Sequence, residues 1–331
     1  MRSSTLAVLV IVAALLSAAG VRAEPLTKVF INGSATPVYF NDGDSFRIQA
    51  GPFKGTQSRL SGYNTLESFG PVHSWGTWTE KEMFAVAKMA THEAQQGVWN
   101  CEGDGKKDGY GRLLLFCKDL ALHLIGKGLA HTYSVDENPG DADLLKVQRE
   151  AMAARRGMWA HGIPRFIVTS LHSKSEGGDK NGQTSNRLIS TTDAHTEKWV
   201  HNDDYQECQR VCSEVPVFTD ADIEKIAEML KKQPESAAGA GGLEADELQG
   251  ILRVTLDRMQ RGMSIVVTND TSDGLRLPKG VTPEDVASLA EGMNVLIREK
   301  KLVPTGTQVD SCHVYVDFRR RFGGERAKCL H

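Results

Sequence analysis

The chain has 331 residues, 40% of them hydrophobic, and carries 39 Lys and Arg against 42 Asp and Glu, a net charge of −3. That length predicts two domains. The balance argues against an architectural nucleic-acid binder, which needs broad positive charge, and leaves open an enzyme with a local positive site.

The first segment reads as a signal peptide over 1–23. Arg2 precedes an apolar run over 6–16, and Val21-Arg22-Ala23 offers a cleavage point before Glu24. The run is shorter than the roughly 20 residues that span a bilayer; a retained anchor is the alternative. Without Arg2 and Arg22 the 39 basic residues fall to 37 against 42 acidic, a balance of −5. Six cysteines in an exported chain, Cys101, Cys117, Cys208, Cys212, Cys312 and Cys329, predict three disulfides.

Short strand-like pieces follow at 28–31, 37–40, 46–48 and 58–60, broken by Gly, Asn and Asp as a tight meander requires. A helix is expected over 79–94, opened by a Thr79/Glu82 capping box, with Met83, Phe84, Ala87 and Ala90 as its apolar face. Strands are expected at 97–101 and 112–117, then helices over 119–128, with Asp119 as N-cap, and 141–156. After Pro164 the composition changes. Residues 173–187 and 234–242 read as loops, the first mobile. Helices are expected at 219–233, 243–261 and 282–299, and strands at 264–267 and 313–316. The domains expected are 24–164, a Cys/His-containing linker or subdomain over 165–216, and an α+β domain over 217–331.

Three clusters carry chemistry: Asn41-Asp42-Gly43-Asp44-Ser45, then Arg59-Leu60-Ser61-Gly62-Tyr63-Asn64-Thr65-Leu66-Glu67, then Asp108-Gly109-Tyr110-Gly111-Arg112. Each alone reads as a turn or hairpin corner. Cleaving a phosphodiester needs an activated water, neutralised phosphate oxygens and help for the leaving oxygen. Carboxylates beside two arginines are suited to that chemistry, and hard oxygen donors suit Ca²⁺.

In this order the clusters resemble the staphylococcal nuclease (thermonuclease) family over about 27–160. The resemblance implies a five-stranded OB barrel with packed helices, an α+β fold; the elements expected after it make a mostly helical α+β C-terminal region. It implies Asp44, Asn64 and the Thr65 carbonyl as calcium ligands, with Asp42 in an outer shell. It makes Glu67 the general base, Arg59 and Arg112 the phosphate clamp, and Tyr110 a stacking platform for sugar or base. Asn64 stands where the family has a second aspartate, which predicts weaker calcium binding. Leu66 stands where it has proline, which predicts a looser backbone before Glu67.

The function this implies is an exported calcium-dependent endonuclease acting on DNA, RNA or both and leaving a 3′-phosphate. It would be a periplasmic or extracellular monomer with no stable membrane association. One alternative is a catalytically weakened domain that binds nucleic acid or protein; another is an interaction protein whose function lies in the C-terminal region.

Cys101 and Cys117 close the two expected strands around the Tyr-Gly-Arg corner and would pair as a disulfide if those strands run antiparallel. Cys208 and Cys212, at helical spacing, would bridge to Cys312 and Cys329 with connectivity open, or join His195 and His201 in a zinc site. The basic cluster Arg319-Arg320-Arg321, with Arg326 and Lys328 near Phe318 and Phe322, reads as a solvated strand end or as a guide for a nucleic-acid backbone.

Overall fold

A computed structural model describes residues 28–177, 182–232, 243–260, 277, 280–321 and 324–330. The expected leader, the 234–242 break, the strand expected at 264–267 and Phe322 lie outside these residues.

The N-terminal part is built from short strands wrapped around three helices. Strand β1 (Lys28–Ile31) pairs antiparallel with β2 (Ser34–Thr36) and parallel with β8 (Val98–Cys101). β3 (Val38–Asp42) and β4 (Ser45–Ile48) form a hairpin. β5 (Ser58–Leu60) runs parallel to β9 (Leu113–Leu115), and β6 (Tyr63–Thr65) antiparallel to β10 (Ala130–Thr132). These ladders remain separate among the described residues and do not close into the expected five-stranded barrel, so the architecture is α+β. One core joins them, in which Phe46, Leu60, Met83, Leu113, Leu120 and Trp159 are essentially sealed from solvent.

Helix α1 (Glu80–Ala94) starts as its sequence dictates. The Thr79 hydroxyl accepts the Glu82 amide at 3.3 Å, and the Glu82 carboxylate accepts the Thr79 amide at 2.9 Å. Its buried stripe is Met83, Val86, Ala87, Ala90 and Ala94, so Val86 and not Phe84 completes the apolar face. Helix α2 (Lys118–Gly126) begins one residue earlier than expected, directly after Cys117. Asp119 does not cap it; its carboxylate instead accepts the Asn100 amide of β8 at 2.8 Å. Helix α3 (Ala142–Ala153) is capped by Asp141, which accepts from Asp143 and Leu144.

The region after Pro164 holds more strand than its composition suggests. β11 (Phe166–Ser170), β12 (Thr184–Ser190) and β13 (Thr196–His201) form an antiparallel meander, so part of the expected 173–187 loop is strand. β14 (Arg210–Val217) and β15 (Gly306–Val314) pair antiparallel, and β15 then pairs with β7 (His73–Trp75) of the N-terminal part. Helices α4 (Asp220–Lys231), α5 (Ala245–Gln260) and α6 (Pro283–Lys300) pack on one another through Ile223, Ile226, Leu252, Leu256, Leu289 and Met293. The two halves are interlocked. Besides the β7–β15 ladder, the Asp310 carboxylate accepts the amides of Arg165 and Phe166, both at 2.7 Å. No helix among the described residues is long and apolar enough to cross a membrane.

All six cysteines are paired. Cys101 bonds Cys117, Cys208 bonds Cys329 and Cys212 bonds Cys312. The first pair does not lie across a ladder: β8 and β9 have other partners, and a single Glu102–Phe116 bridge brings the thiols together. Cys208 and Cys212 share no helical face, because Cys208 sits in a turn at φ +64° and Cys212 in β14. Oxidation to two separate partners overturns the zinc alternative. His195 is bonded to Asp193 and Glu197 instead, and His201 to Asn186.

Candidate active site

The site is organised by the β3–β4 turn. Phe40 and Phe46 face each other across the hairpin and are buried edge-on, with ring centroids 5.2 Å apart. The turn residue Gly43 is wedged between β6 and α1: a Cβ there would lie 2.6 Å from Thr65 Cγ2 and 3.1 Å from Ala90 Cβ. Only glycine allows this approach. The buried Tyr63 hydroxyl donates to the Gly43 carbonyl at 2.9 Å. Burial, and then the charge of Asp44, push that phenol far above its ordinary pKa, so it remains a donor.

Asp44, held on this turn, is buried, yet both carboxylate oxygens are engaged. One accepts the Thr65 amide at 2.8 Å; the other pairs with Arg59 at 2.6 Å. Arg59, on β5, also donates to the Asn64 side-chain oxygen, and Asn64 donates from its amide to the Thr65 carbonyl at 3.0 Å. The guanidinium carbon lies 5.6 Å from the Tyr133 ring centroid. Burial works against the Arg59 charge, but Asp44 and Asp42 outweigh it and hold its pKa above the ordinary value. Thus Asp44, Arg59, Asn64 and Thr65 form one bonded network. Asn64 completes it as an acceptor, a role its neutral oxygen performs.

Glu67 follows directly. Leu66, standing where a proline was expected, is buried in the core, so packing anchors the segment in place of a restricted backbone. Burial raises the Glu67 pKa. The charge of Asp44 also raises it, while Arg321, Arg59 and Arg112 oppose the shift, in that order of strength. Asp42 is raised well above the usual carboxylate range by burial and by the charges of Asp44 and Glu67. Three acids therefore share one poorly solvated space.

Arg112 is presented just before β9 by a tight loop. The Asp108 carboxylate accepts the Arg112 amide at 2.9 Å, the Arg112 Nε at 2.7 Å and the Tyr110 amide at 2.9 Å. Tyr110 is 76% exposed, with the Arg112 guanidinium 5.5 Å from its ring centroid. Cys101–Cys117 closes the base of this loop.

Among the described residues no three His, Cys, Asp or Glu side chains form a metal cage. The oxygens of the Asp44 network are carboxylate, side-chain amide and main-chain carbonyl oxygens, all hard donors. Crowding of Asp42, Asp44 and Glu67 creates an excess of negative charge that a divalent cation would relieve, so the residues fit a hard ion bound with retained water.

Residues that the sequence did not single out also surround the site. Tyr63 and Tyr133 brace Gly43 and Arg59. Behind them lie three buried histidines: His131 opposite Asn64, and His73 opposite His313 with ring centroids 4.6 Å apart. Both nitrogens of His73 and the Nε2 atoms of His131 and His313 have no protein hydrogen-bond partner. Burial lowers all three pKa values, His131 to about 4 and His313 to about 3, so they are neutral in the folded chain. An unfolded histidine titrates near 6.5. Below that pH the unfolded chain binds more protons, so this contribution to stability is complete above about 6.5 and is lost as pH falls toward the folded values. The limiting slope is about 1.4 kcal/mol per pH unit for each histidine. Calorimetry between pH 7 and pH 4.5 should show a falling unfolding midpoint, with a shallower fall in His313→Gln; identical slopes would reject this account.

Residues 59–161 match the family model described as staphylococcal nuclease homologue. The match contains Arg59, Asn64, Thr65, Glu67, Tyr110 and Arg112 and begins after the Asp42–Asp44 turn. No curated protein matches the chain, and no solved structure does.

Proposed function

We propose, from the premise of a staphylococcal nuclease homologue domain over residues 59–161, that this protein is an exported calcium-dependent endonuclease hydrolysing phosphodiester bonds of DNA, RNA or both. The observation that supports the reading is the bonded network of Asp44, Arg59, Asn64 and Thr65, with Glu67 following it in the chain under the charges of Arg59 and Arg112. An OB-type arrangement of the strands around that site belongs to the same reading. Three disulfides support export to a periplasmic or extracellular space.

Asp44, Asn64 and the Thr65 carbonyl would hold calcium, with Asp42 behind them; bound there, the ion would neutralise phosphate charge. Arg59 moves from Asp44 to the phosphate when substrate enters, and Arg112 grips a second oxygen, each through a planar donor fork. Glu67 takes a proton from a water as the water oxygen bonds to phosphorus. The P–O5′ bond breaks, the 5′ oxygen gains a proton from solvent, and a 3′-phosphate remains. Charge growing on the phosphoryl oxygens is met by the two guanidiniums. Exposed Tyr110 offers a face for sugar or base beside Arg112.

The purified chain should cleave DNA or RNA with millimolar calcium and stop on addition of EGTA, and Arg112→Ala should lose this cleavage. Nucleic-acid binding without any cleavage would instead establish the binding-module reading, which the neutral ligand Asn64 favours. Asn64→Asp adds a charged ligand and is expected to lower the calcium concentration for half-maximal cleavage. An unchanged calcium curve would remove position 64 from the ligand set.

A further inference from the structure

The basic residues near the C-terminus do not act as one patch. Arg319 is exposed, whereas Arg320 pairs with Glu207 at 2.5 Å. Arg326 donates to the Phe69 carbonyl, on the loop that leaves Glu67. Leu330 packs so closely on Gly70 that a Cβ there would lie 2.7 Å from the Leu330 Cα. Val72, Val314, Val316, Ala327 and Leu330 fill the seam, and the Cys208–Cys329 disulfide ties the segment down beside it. The C-terminal segment is thus packed directly on the backbone that presents Glu67.

Arg321 lies in that seam. It is half-buried, its Nε donates to the Val316 carbonyl at 3.4 Å, and it shares one small cleft with Glu67, Val72, His313 and Leu330. Arg321 is the arginine that lines this cleft, and Glu67 is its carboxylate. A carboxylate withdrawn from water is costly without a charged partner, and removing that partner leaves the cost uncompensated. Arg59 and Arg112 are both engaged elsewhere, with Asp44 and Asp108.

We propose that Arg321 is a positioning residue of the candidate site, supplied by the C-terminal segment to pair with Glu67 and hold its carboxylate in place. This rests on the reading of Glu67 as the base. The C-terminal region then completes the nuclease centre and is no separate appendage. Lysine would return the charge but not the planar fork, so Arg321→Lys should recover only part of the function.

The test uses the full oxidised chain and a short single-stranded oligonucleotide with calcium. Arg321→Met should lower kcat about 10²-fold, the size of effect expected from a misplaced reacting group, with little change in KM. Arg321→Lys should restore much of it. A rise in KM alone would assign Arg321 to substrate binding and overturn the proposal, as would an unchanged kcat. A second measurement is independent of cleavage: thermal midpoints of wild type, Glu67→Gln, Arg321→Met and the double variant. Removing Arg321 should destabilise the wild type more than it destabilises Glu67→Gln. Strictly additive shifts would show that the two side chains are not paired. If the wild type fails to cleave with calcium, the nuclease reading falls, while this cycle still decides the pairing.

Discussion

Replacing Glu67 by glutamine is expected to lower calcium-dependent cleavage by about 10²–10⁴-fold, the usual contribution of a positioned general base. The substitution keeps size and removes only the proton-accepting charge. Its effect on stability should run the other way. The folded pKa of Glu67 is raised, chiefly by burial, so the ionised carboxylate is less favourable in the folded chain than in the unfolded one. At neutral pH the amide avoids that cost, and the part of it that Arg321 already offsets limits the gain. Rate and melting temperature should therefore separate: activity falls steeply while the unfolding midpoint holds or rises. Loss of activity together with a collapse of the fold would make Glu67 a structural residue and remove it from the chemistry.

A large stability effect is expected from removing Cys212–Cys312. The two cysteines are 100 residues apart and face each other in the β14–β15 ladder, and Cys312 also lies opposite Ser74 of β7. Closing a loop of that length restricts the unfolded chain by about 4–5 kcal/mol, against about 3 kcal/mol for the 16-residue Cys101–Cys117 loop. A Cys212→Ala/Cys312→Ala variant should unfold about 10 °C or more below the wild type, given a few degrees per kcal/mol for a chain of this size. A shift under about 2 °C in a scan of both oxidised proteins would show that the β14–β15–β7 sheet is held without its cross-link.

The N-terminal part was legible in the sequence because its signals are local. Thr79 and Glu82 spell a capping box, Asp141 caps its helix, and the three motifs lie within residues 41–112. Asn64 was visible as a departure, but its place as the acceptor of Arg59 depends on how the short turn between β5 and β6 folds the two side chains together. The later strands were hidden for a different reason. The Ser- and Asn-rich composition of 173–187 masked the start of β12. The Cys208–Cys212 spacing suggested a helix although Val211, Ser213 and Val215 alternate inward as a strand requires. Arg321 was seen only as a member of a basic run. Its approach to Glu67 is set by Cys208–Cys329 and by β15 pairing with β7, contacts between distant parts of the chain that no local pattern encodes.

The β7–β15 ladder also has a kinetic consequence. Trp75 and its neighbours emerge from synthesis long before their strand partners around Ser311. Until then β7 has an unsatisfied edge, and the loop carrying Glu67 lacks the segment that packs on it. Long-range pairing of this kind slows folding, because the entropy of closing the loop is spent before the contact is gained. The centre is therefore assembled at the end of folding, and a nascent or truncated chain should carry little of the activity that the finished protein would show.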